Sequence, residues 1–503
     1  MTAANPAAQD PYLKLGVRPF IHCAGVRTIH GGSLMLPEVS RAMELAARRF
    51  VNIDELMAAV SRRIAELTGA EAGIVTSGCA AALCHATAAA LTGADPERML
   101  RLPDTSGLQA KVVMPSTGRF TYDHAIRMTG AKIVEVDSLE RLEQELDEGA
   151  AMVALLAAAD EKGAVTLQQI APIARSRGVP VLVDAAAEIP RVPNPFLSRG
   201  ASMVAYSGGK YLRGPQCAGL LLGEARWIGA AWMHSAPHHG FGRPMKVGKE
   251  EIIGMLTALE IWATRRKLES ESATWNADLD EIAGRVSPLP SVSTRRLPPA
   301  NSTDIIPKLE ISWDYAKLPI LASEVRLALL EGTPRIMLDD RGSSETSLQI
   351  LPFSLQPGEA GVVADAIHRA LAASANGTPR AAGAAQSRAA ISGRWTLDIT
   401  FVVGMARHRL DLEMQGDKIA GTHQTLHLAN RVQGRARGDK VDFSSLHKFE
   451  GTNLAYRFVG QVAASGDTMS GMVEIGSTGQ AAPGPLNMKE YGTATWQAIR
   501  QAS

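Results

Sequence analysis

The stretch AYSGGKYLRGPQCAG, residues 205–219, decides how this chain is interpreted. Lys210 follows an apolar strand, is preceded by two glycines and has Ser207 three residues before it. Glycines leave room for a bulky ligand beside the lysine, and a lysine amine can bind the aldehyde of a cofactor. Taken alone, the loop fits a solvated lysine in a glycine-rich turn equally well, so neighbouring motifs must decide.

A carboxylate lies upstream of the lysine at the end of a buried strand. The apolar run VPVLV, residues 179–183, is followed by Asp184 and three alanines. Ligands bind at the carboxyl ends of strands in open α/β sheets, and a buried carboxylate there needs a cationic partner. A protonated pyridine nitrogen is such a partner, so Lys210 and Asp184 together indicate pyridoxal phosphate. A helix N-cap or loop-end aspartate is the alternative.

A possible phosphate site precedes both residues. The segment TSGCA, residues 76–80, closes the strand GIVT and opens an alanine-rich helix. The N–H groups around Ser77, Gly78 and Cys79 and the helix dipole favour a phosphate, although serine is also a routine N-cap. His124, which precedes another strand, is a candidate to lie flat against a cofactor ring. A packed or exposed histidine is the ordinary alternative.

The alternation of strands and helices predicts an α/β fold. Apolar runs such as KVVMPS, KIVEVD and MVALLA are separated by helical segments such as 60–68 and 167–177. Buried strands joined by helices indicate a mainly parallel sheet with helices on both faces. A helix at 250–267 and a final helix after Pro357 predict a small α/β lobe. We expect the large domain to span 1–250 and the small lobe to span 251–371.

A stretch rich in Ala, Gly, Ser and Pro at 372–391 is typical of a linker. After it, runs such as KVDFSSLHKF and AYRFVGQVA alternate polar and apolar residues. Tight reversals are predicted at three glycine-aspartate pairs, Gly416-Asp417, Gly438-Asp439 and Gly466-Asp467. The pattern predicts an antiparallel β-sandwich or barrel over 392–503, with Trp395 and Trp496 in its core.

Composition and charge exclude several classes of protein. The 503 residues are 46% hydrophobic, which excludes a disordered chain, and 52 Lys and Arg balance 51 Asp and Glu. Without blocks of like charge we expect no nucleic-acid partner. The longest apolar run, 149–159, is too short to span a membrane, and no signal pattern opens the chain. We therefore expect a cytoplasmic protein with no membrane partner. The spacing of the cysteines and histidines predicts neither a disulfide nor a metal site.

The order of these motifs resembles the fold-type-I pyridoxal-phosphate enzymes of the aminotransferase class V superfamily. Within it, the chain is similar to the subgroup of bacterial selenocysteine synthase and D-glucosaminate-6-phosphate ammonia-lyase. The similarity is carried by GVRPFIHCAGVRTIHGGSLMLPEV, FVNIDEL, LTGAEAGIVTSGCAAAL, the lysine loop and EGTPRIML, and it spans residues 11–371. It implies a seven-stranded type of sheet, a pyridoxal 5'-phosphate cofactor and a homodimer or larger even assembly.

The resemblance also assigns roles to individual residues. It implies that Lys210 binds the cofactor and then acts as a base at the substrate α-carbon. It implies that Asp184 faces the pyridine nitrogen and that His124 stacks on the ring. It places the phosphate among the following residues: Ser77, Gly78, Cys79 and Ser207.

The substrate side departs from the subgroup, which tends to carry an arginine in a late strand where this chain reads SLQILPFSLQ. Arg335 and Arg213 are the remaining candidates to bind a substrate carboxylate, and a packing or surface role is as consistent with each. Four polar residues of an N-terminal loop are candidates to line the substrate mouth: His22, Arg27, His30 and Ser33. Asp54 is a candidate to do so from the neighbouring subunit. Ordinary loop polarity is the alternative for all five.

We expect an enzyme that takes an α-proton from an amino acid or amino sugar acid and then expels a β-substituent, an ammonia-lyase type of reaction. Racemisation, aldol cleavage and transamination begin with the same cofactor chemistry and stay open. Selenium transfer to a tRNA is not expected, because the chain is neutral and enters the catalytic domain within about twenty residues. A binding or scaffold protein that uses the β domain is the non-enzyme alternative, and the intact pair of Asp184 and Lys210 argues against it.

Overall fold

The computed structural model describes residues 10–297, 306–339, 343–375, 391–478 and 491–501. In that part of the chain the helices are α1 Pro11–Lys14, α2 Pro37–Ala47, α3 Ile53–Thr68, α4 Gly78–Thr92, α5 Pro96–Arg101, α6 His124–Arg127, α7 Leu139–Asp147, α8 Ala157–Asp160, α9 Leu167–Ser176, α10 Pro195–Ser198, α11 Ala225–His234, α12 Lys249–Thr264, α13 Leu268–Val286, α14 Ala322–Glu331 and α15 Glu359–Ser374. The strands are β1 Phe20–Cys23, β2 Ala72–Thr76, β3 Lys111–Pro115, β4 Lys132–Val136, β5 Met152–Leu156, β6 Val181–Asp184, β7 Met203–Ser207, β8 Gly219–Gly223, β9 Val292–Leu297, β10 Lys308–Trp313, β11 Arg335–Leu338, β12 Ser347–Ile350, β13 Gly393–Thr400, β14 Met405–Gln415, β15 Lys418–Gln424, β16 Ala429–Arg437, β17 Lys440–Phe449, β18 Thr452–Val462, β19 Thr468–Thr478 and β20 Thr493–Arg500.

Seven strands form the sheet of the large domain, in the order β2-β8-β7-β6-β5-β3-β4. The pairs from β7 to β4 are parallel, whereas β8 runs against both of its neighbours, β2 and β7. Every residue of β6 is buried, as expected for a strand covered on both faces. The predicted mainly parallel sheet is confirmed. Its topology brings the carboxyl ends of β2, β6 and β7 to one edge.

The small lobe contains a three-stranded antiparallel sheet, β12-β10-β9, and a parallel pair, β1 and β11. In that pair Phe20 lies opposite Arg335 and Cys23 opposite Leu338. Ile21 and Cys23 belong to the same hydrophobic core as α13, α14 and α15. The N-terminal segment therefore packs with the small lobe, a long-range pairing that its sequence does not reveal.

Strands β13 to β20 form a closed antiparallel barrel. Of the two predicted architectures, sandwich and barrel, the structure shows the barrel, because β20 pairs with β13. This pairing extends from Trp395 opposite Arg500 to Thr400 opposite Thr495. Trp395 and Trp496 are buried in its core, as predicted. All three predicted reversals are hairpin turns whose glycines have positive φ, +65° at Gly416 and Gly438 and +76° at Gly466.

Separate hydrophobic cores fill the large domain, the small lobe and the barrel. The predicted linker at 372–391 lies mostly outside the described residues. Its first residues, Ala372 to Ser374, complete the last turn of α15, and Ile391 already packs in the barrel core. Among the described residues, no helix is both long enough and apolar enough to cross a membrane.

Candidate active site

The carboxylate of Asp184 lies at the end of β6, the position that the sequence predicted. Its side chain is buried, and its Oδ1 accepts a hydrogen bond from the N–H of Ala186 at 2.9 Å. The thiol of Cys79 donates to the same oxygen, with Sγ and Oδ1 3.7 Å apart. Burial raises the pKa of Asp184, while the positive charge of Lys210 acts in the opposite direction. The fold therefore brings β6, the start of α4 and the lysine loop together.

This environment fits a protonated pyridine nitrogen. One backbone N–H and one thiol, a weak donor, compensate only part of the cost of a buried carboxylate. Because burial holds the pKa of Asp184 above its usual range, a cationic N–H brought against it would stabilise the ionised form. Burial also raises the pKa of Cys79, which keeps that thiol a neutral donor. The donor set at this position suits a ring cation.

The start of α4 has the properties of a phosphate cradle. Ser77 occupies the N-cap, yet its side chain makes no capping hydrogen bond to the helix. Gly78 has φ +82°, and a Cβ on Gly219 of β8 would lie 2.4 Å from the carbonyl carbon of Gly78 and 2.6 Å from the nitrogen of Cys79. Such close backbone approach requires glycine. Because the side chain of Ser77 does not cap the helix, the first N–H groups of α4 are suited to bind phosphate.

The glycines of the lysine loop are required by packing within the protein itself. A Cβ on Gly209 would lie 2.5 Å from the Cα of Gln216, and one on Gly208 would lie 2.7 Å from the sulfur of Met255. The N–H of Gly208 donates to the carbonyl of Ala218 at 2.8 Å, and the N–H of Gly214 donates to the carbonyl of Gly208 at 2.9 Å. The loop is thus a compact turn that presents Lys210 half-buried.

The N-terminal loop lies directly against the lysine loop. Both the N–H and the hydroxyl of Ser33 donate to the carbonyl of Gly209, at 3.0 and 3.1 Å. Gln216 donates to the carbonyl of Thr28 at 3.1 Å. The structure therefore places this predicted mouth-lining segment against the residue that precedes Lys210.

The N-terminal loop also contains a buried histidine and an arginine in a buried ion pair. The ring of His22 makes edge contacts with the rings of Phe20 and His30, and burial is the main cause that lowers the pKa of His22 to about 4. Arg27 and Asp339 form an ion pair of 3.4 Å between Nη1 and Oδ1, with both side chains largely buried. The loop thus carries a neutral histidine and a buried ion pair beside the lysine loop.

His124 is exposed at the first position of α6, while Ala125 and Ile126 of that helix are buried in the core. Helix α6 packs on α4, whose first residues form the predicted phosphate site. The histidine is therefore held by a helix anchored in the large domain, with its ring outside the core.

The two arginines proposed for the substrate occupy different surroundings. The guanidinium of Arg335 donates to the carbonyls of Leu330 at 2.9 Å and Arg18 at 3.1 Å, which accounts for it as a packing residue. Arg213 has φ +54° and donates to the carbonyl of Leu34 at 2.9 Å, so it joins the lysine loop to the N-terminal loop. Burial lowers the pKa of Arg213, and the nearby Arg266 adds to that effect.

Asp54 is bound within its own protomer. Its Oδ1 accepts from the indole N–H of Trp232 at 3.0 Å and lies 3.2 Å from Nε2 of His238. His234 has another partner, since its Nε2 lies 2.9 Å from the hydroxyl oxygen of Thr92. Within the ranges that the structure describes, no three His, Cys, Asp or Glu side chains are arranged to hold a metal ion.

Sequence reasoning missed a histidine cluster inside the barrel. His408 and His423 are 2.9 Å apart between Nδ1 and Nε2, and Nδ1 of His423 lies 3.0 Å from Nε2 of His447 and 2.7 Å from the hydroxyl of Ser445. All four side chains are buried. The sequence did contain a sign of the cluster: each of these residues occupies a position that alternation predicts to point into the barrel. Their convergence depends on the pairing and curvature of β14 to β17 in the barrel.

Comparison with known proteins places the catalytic domain among pyridoxal-phosphate enzymes. A family described as Cys/Met metabolism PLP-dependent enzyme matches residues 45–256. D-glucosaminate-6-phosphate ammonia lyase of Salmonella typhimurium (strain 14028s / SGSC 2262) is 33% identical over 287 residues, which cover 55% of this chain and 75% of the relative. A 5'-C-glycyluridine monooxygenase-decarboxylase of Streptomyces sp is 31% identical over 369 residues, which cover 70% of this chain and 90% of the relative. The solved structure of a D-glucosaminate-6-phosphate ammonia-lyase matches with a TM-score of 0.66 and 28% identity, covering 75% of this chain and 100% of that one.

Proposed function

The chain belongs to the fold-type-I pyridoxal-phosphate enzymes, in the subgroup of D-glucosaminate-6-phosphate ammonia-lyase and selenocysteine synthase, and from this premise we propose that it is an ammonia-lyase. Pyridoxal phosphate is its cofactor. The substrate we propose is an amino acid or amino sugar acid with a leaving group on the β-carbon. The single observation that carries the proposal is the convergence of buried Asp184, the thiol of Cys79 and Lys210 at the carboxyl end of β6.

Residues of this chain supply the binding and the proton transfer. When bound, pyridoxal phosphate supplies an electron sink that stabilises negative charge at the substrate α-carbon. Asp184 would hold the pyridine nitrogen, His124 would cover the ring, and Lys210 would bind the aldehyde carbon. The first N–H groups of α4, at Ser77, Gly78 and Cys79, would hold the phosphate together with the hydroxyl of Ser207.

The proposed reaction balances without an added oxidant or acceptor. The Cα–H bond breaks and Nζ of Lys210 takes the proton, which makes this residue the general base. The electron pair forms a Cα=Cβ bond while the Cβ–O bond breaks, and the hydroxyl group leaves as water after taking up a proton. The unsaturated amine product tautomerises to an imine, and water then releases ammonia and leaves a 2-keto acid.

The substrate carboxylate is proposed to lie on the side of the N-terminal loop. Arg213 is the better placed of the two predicted arginines, since it joins that loop to the lysine loop. Arg335 stays a candidate with a packing role already accounted for. Ser33 donates to Gly209 of the lysine loop. Arg27 belongs to the same N-terminal loop and forms the buried ion pair with Asp339. Both contacts support a place for these residues at the substrate mouth.

The test combines spectroscopy with a product assay. The purified protein should show the near-visible absorbance of lysine-bound pyridoxal phosphate, and Lys210→Ala should lose that band. Incubation with D- and L-amino acids and amino sugar acids should then release ammonia and a 2-keto product with no keto-acid acceptor present. A colourless protein that takes up no added cofactor would refute the enzyme assignment, and product that forms only with an acceptor would indicate transamination.

A second candidate, oxidative decarboxylation, is favoured by one observation. The Streptomyces monooxygenase-decarboxylase covers a larger share of this chain than the Salmonella lyase does, at nearly the same identity. An oxygen electrode separates the two candidates: elimination consumes no oxygen, whereas a monooxygenase-decarboxylase reaction consumes oxygen and releases carbon dioxide.

We propose a homodimer or larger even assembly in the cytoplasm. Three large apolar side chains are exposed in the last turn of α2 and in the segment that leads to α3. Phe50 is fully exposed, Leu45 is 65% exposed and Val51 is 49% exposed. Exposed large apolar side chains are typical of interfaces, and a second copy is the occupant we propose for these three. Sedimentation of the purified protein would test the assembly.

A further inference from the structure

The barrel contacts the large domain through the turn that joins β17 to β18. Nη2 of Arg119 donates to Oε2 of Glu450 at 2.5 Å, across the two domains. The next residue, Gly451, packs so closely that a Cβ there would lie 2.2 Å from the carbonyl oxygen of Phe120 and 2.3 Å from Oδ2 of Asp123. Two independent features, a charged contact and a backbone approach, therefore hold the same turn of the large domain.

Arg119 links this barrel turn to the residue that precedes His124. Its side chain is only 6% exposed and also donates to Asp123, with Nε and Oδ2 2.6 Å apart, and to Glu135 of β4 at 2.7 Å. Asp123 is fully buried and accepts a second bond from Nε of Arg127 at 3.1 Å. A single guanidinium thus connects the barrel, β4 and the turn that begins α6.

The backbone at Glu450 supports a specific rather than incidental contact. Its φ is +51°, a left-handed conformation that glutamate rarely adopts. Such residues persist where surrounding contacts fix them, often at functional positions. Here those contacts are the ion pair with Arg119 and the packing of Gly451 on Phe120.

The solved lyase structure aligns over its whole length with 75% of this chain, so a quarter of this chain has no counterpart in it. The contact at Glu450 is made by the barrel, which has its own hydrophobic core and is separate from the seven-stranded sheet that carries the candidate site. It reaches the turn immediately before His124, the residue assigned to the cofactor ring.

We propose that the β17–β18 turn positions the active site: Glu450 and Gly451, through Arg119 and Asp123, fix the start of α6 and so the place of His124 over the cofactor. This inference rests on the proposed function for the role of His124. Glu450, Gly451 and Arg119 are positioning residues, since they act through Asp123 and the α6 backbone.

The test uses the full-length holoenzyme with three variants. Glu450→Gln removes the charge, and Gly451→Ala places a methyl group against Phe120 and Asp123. Glu413→Gln, an exposed glutamate on β14 of the barrel wall, is the matched control. Because a small displacement of a catalytic group can slow a reaction strongly, we expect kcat about tenfold lower in both test variants and KM within about twofold. The control should match wild type.

Two readouts do not depend on lyase activity. The visible circular dichroism of the bound cofactor should weaken in both test variants while cofactor content stays stoichiometric. Hydrogen exchange in the peptide containing Phe120 to Arg127 should quicken, with barrel peptides unchanged as a check on folding. If Gly451→Ala does not fold, Arg119→Lys replaces it, because one amine cannot contact three carboxylates as the guanidinium does.

Wild-type dichroism and wild-type exchange in the test variants would overturn the positioning role, whatever reaction the enzyme performs. A protein that binds the cofactor and shows these changes but releases no ammonia would instead refute the proposed reaction. The two proposals therefore fail by different measurements.

Discussion

The buried histidine cluster predicts that acid destabilises the barrel. Burial is the main cause that lowers the pKa of His408 to about 4, from an ordinary value of 6.5. It also lowers the pKa values of His423 and His447. A histidine that is harder to protonate in the folded state favours unfolding as it gains a proton. The stabilisation is complete above pH 6.5 and is lost as the pH falls toward 4.

The magnitude follows from the two pKa values of His408. Between pH 7.5 and pH 5, protonation of this residue in the unfolded state alone lowers the free energy of unfolding of the barrel by about 2 kcal/mol, or about 30-fold in the opening equilibrium. The loss approaches about 3 kcal/mol below pH 4. His423 and His447 add to this loss in the wild-type protein.

Hydrogen exchange of peptides from β14, β15 and β17 measures this effect in the full chain, after correction for the pH dependence of intrinsic exchange. In His408→Gln the loss of protection between pH 7.5 and pH 5 should be smaller than in wild type by about 2 kcal/mol. His427→Gln, which changes an exposed histidine of the same barrel, should keep the wild-type pH dependence. Equal loss of protection in wild type and His408→Gln would show that this histidine is not held neutral by the fold.

Three substitutions test the candidate active site and the assembly. Asp184→Asn should leave the cofactor bound but lower kcat by about 100-fold or more, since a neutral amide cannot favour a protonated ring nitrogen; unchanged turnover would remove Asp184 from the proposed role. Gly219→Ala should weaken pyridoxal phosphate affinity by about tenfold or more, measured by fluorescence titration, because its Cβ would displace the start of α4. Gly229→Ala, where a Cβ meets nothing within 4 Å, is the matched control. Phe50→Asp should dissociate the proposed dimer in sedimentation while Leu426→Asp, also exposed, should not; a dimer that survives the first substitution would place the interface elsewhere.

The positions of Asp184 and Lys210 near the ends of neighbouring strands were predictable from the sequence. Asp184 follows a buried strand and Lys210 follows another, and strand direction alone brings the ends of parallel strands to one edge. The glycines of the lysine loop were expected to leave room for a ligand, and the structure shows that they also pack closely against the rest of the protein. Their contacts with Met255 and Gln216 could not be expected, because these depend on residues that the chain brings back from elsewhere.

Long-range pairing was outside the reach of sequence patterns. The parallel pairing of β1 with β11, and the hydrogen bonds that lay the N-terminal loop on Gly209, join distant segments whose local sequences carry no sign of each other. Arg335 illustrates the consequence, since a position suited to a substrate contact from its motif alone has its guanidinium on the carbonyls of Leu330 and Arg18.

The sequence by itself determined the periodicities, and through them the α/β domain, the β domain and the order of the chemical motifs. Hydrophobic alternation and turn residues are local properties, so they can be interpreted without a partner segment. Only the tertiary structure decided closure of the barrel, the meeting of His408, His423 and His447 inside it, and the contact of Glu450 with Arg119. The first two depend on how the barrel strands curve and pair, and the third depends on how the barrel packs against the large domain, so no local preference of the residues involved fixes them.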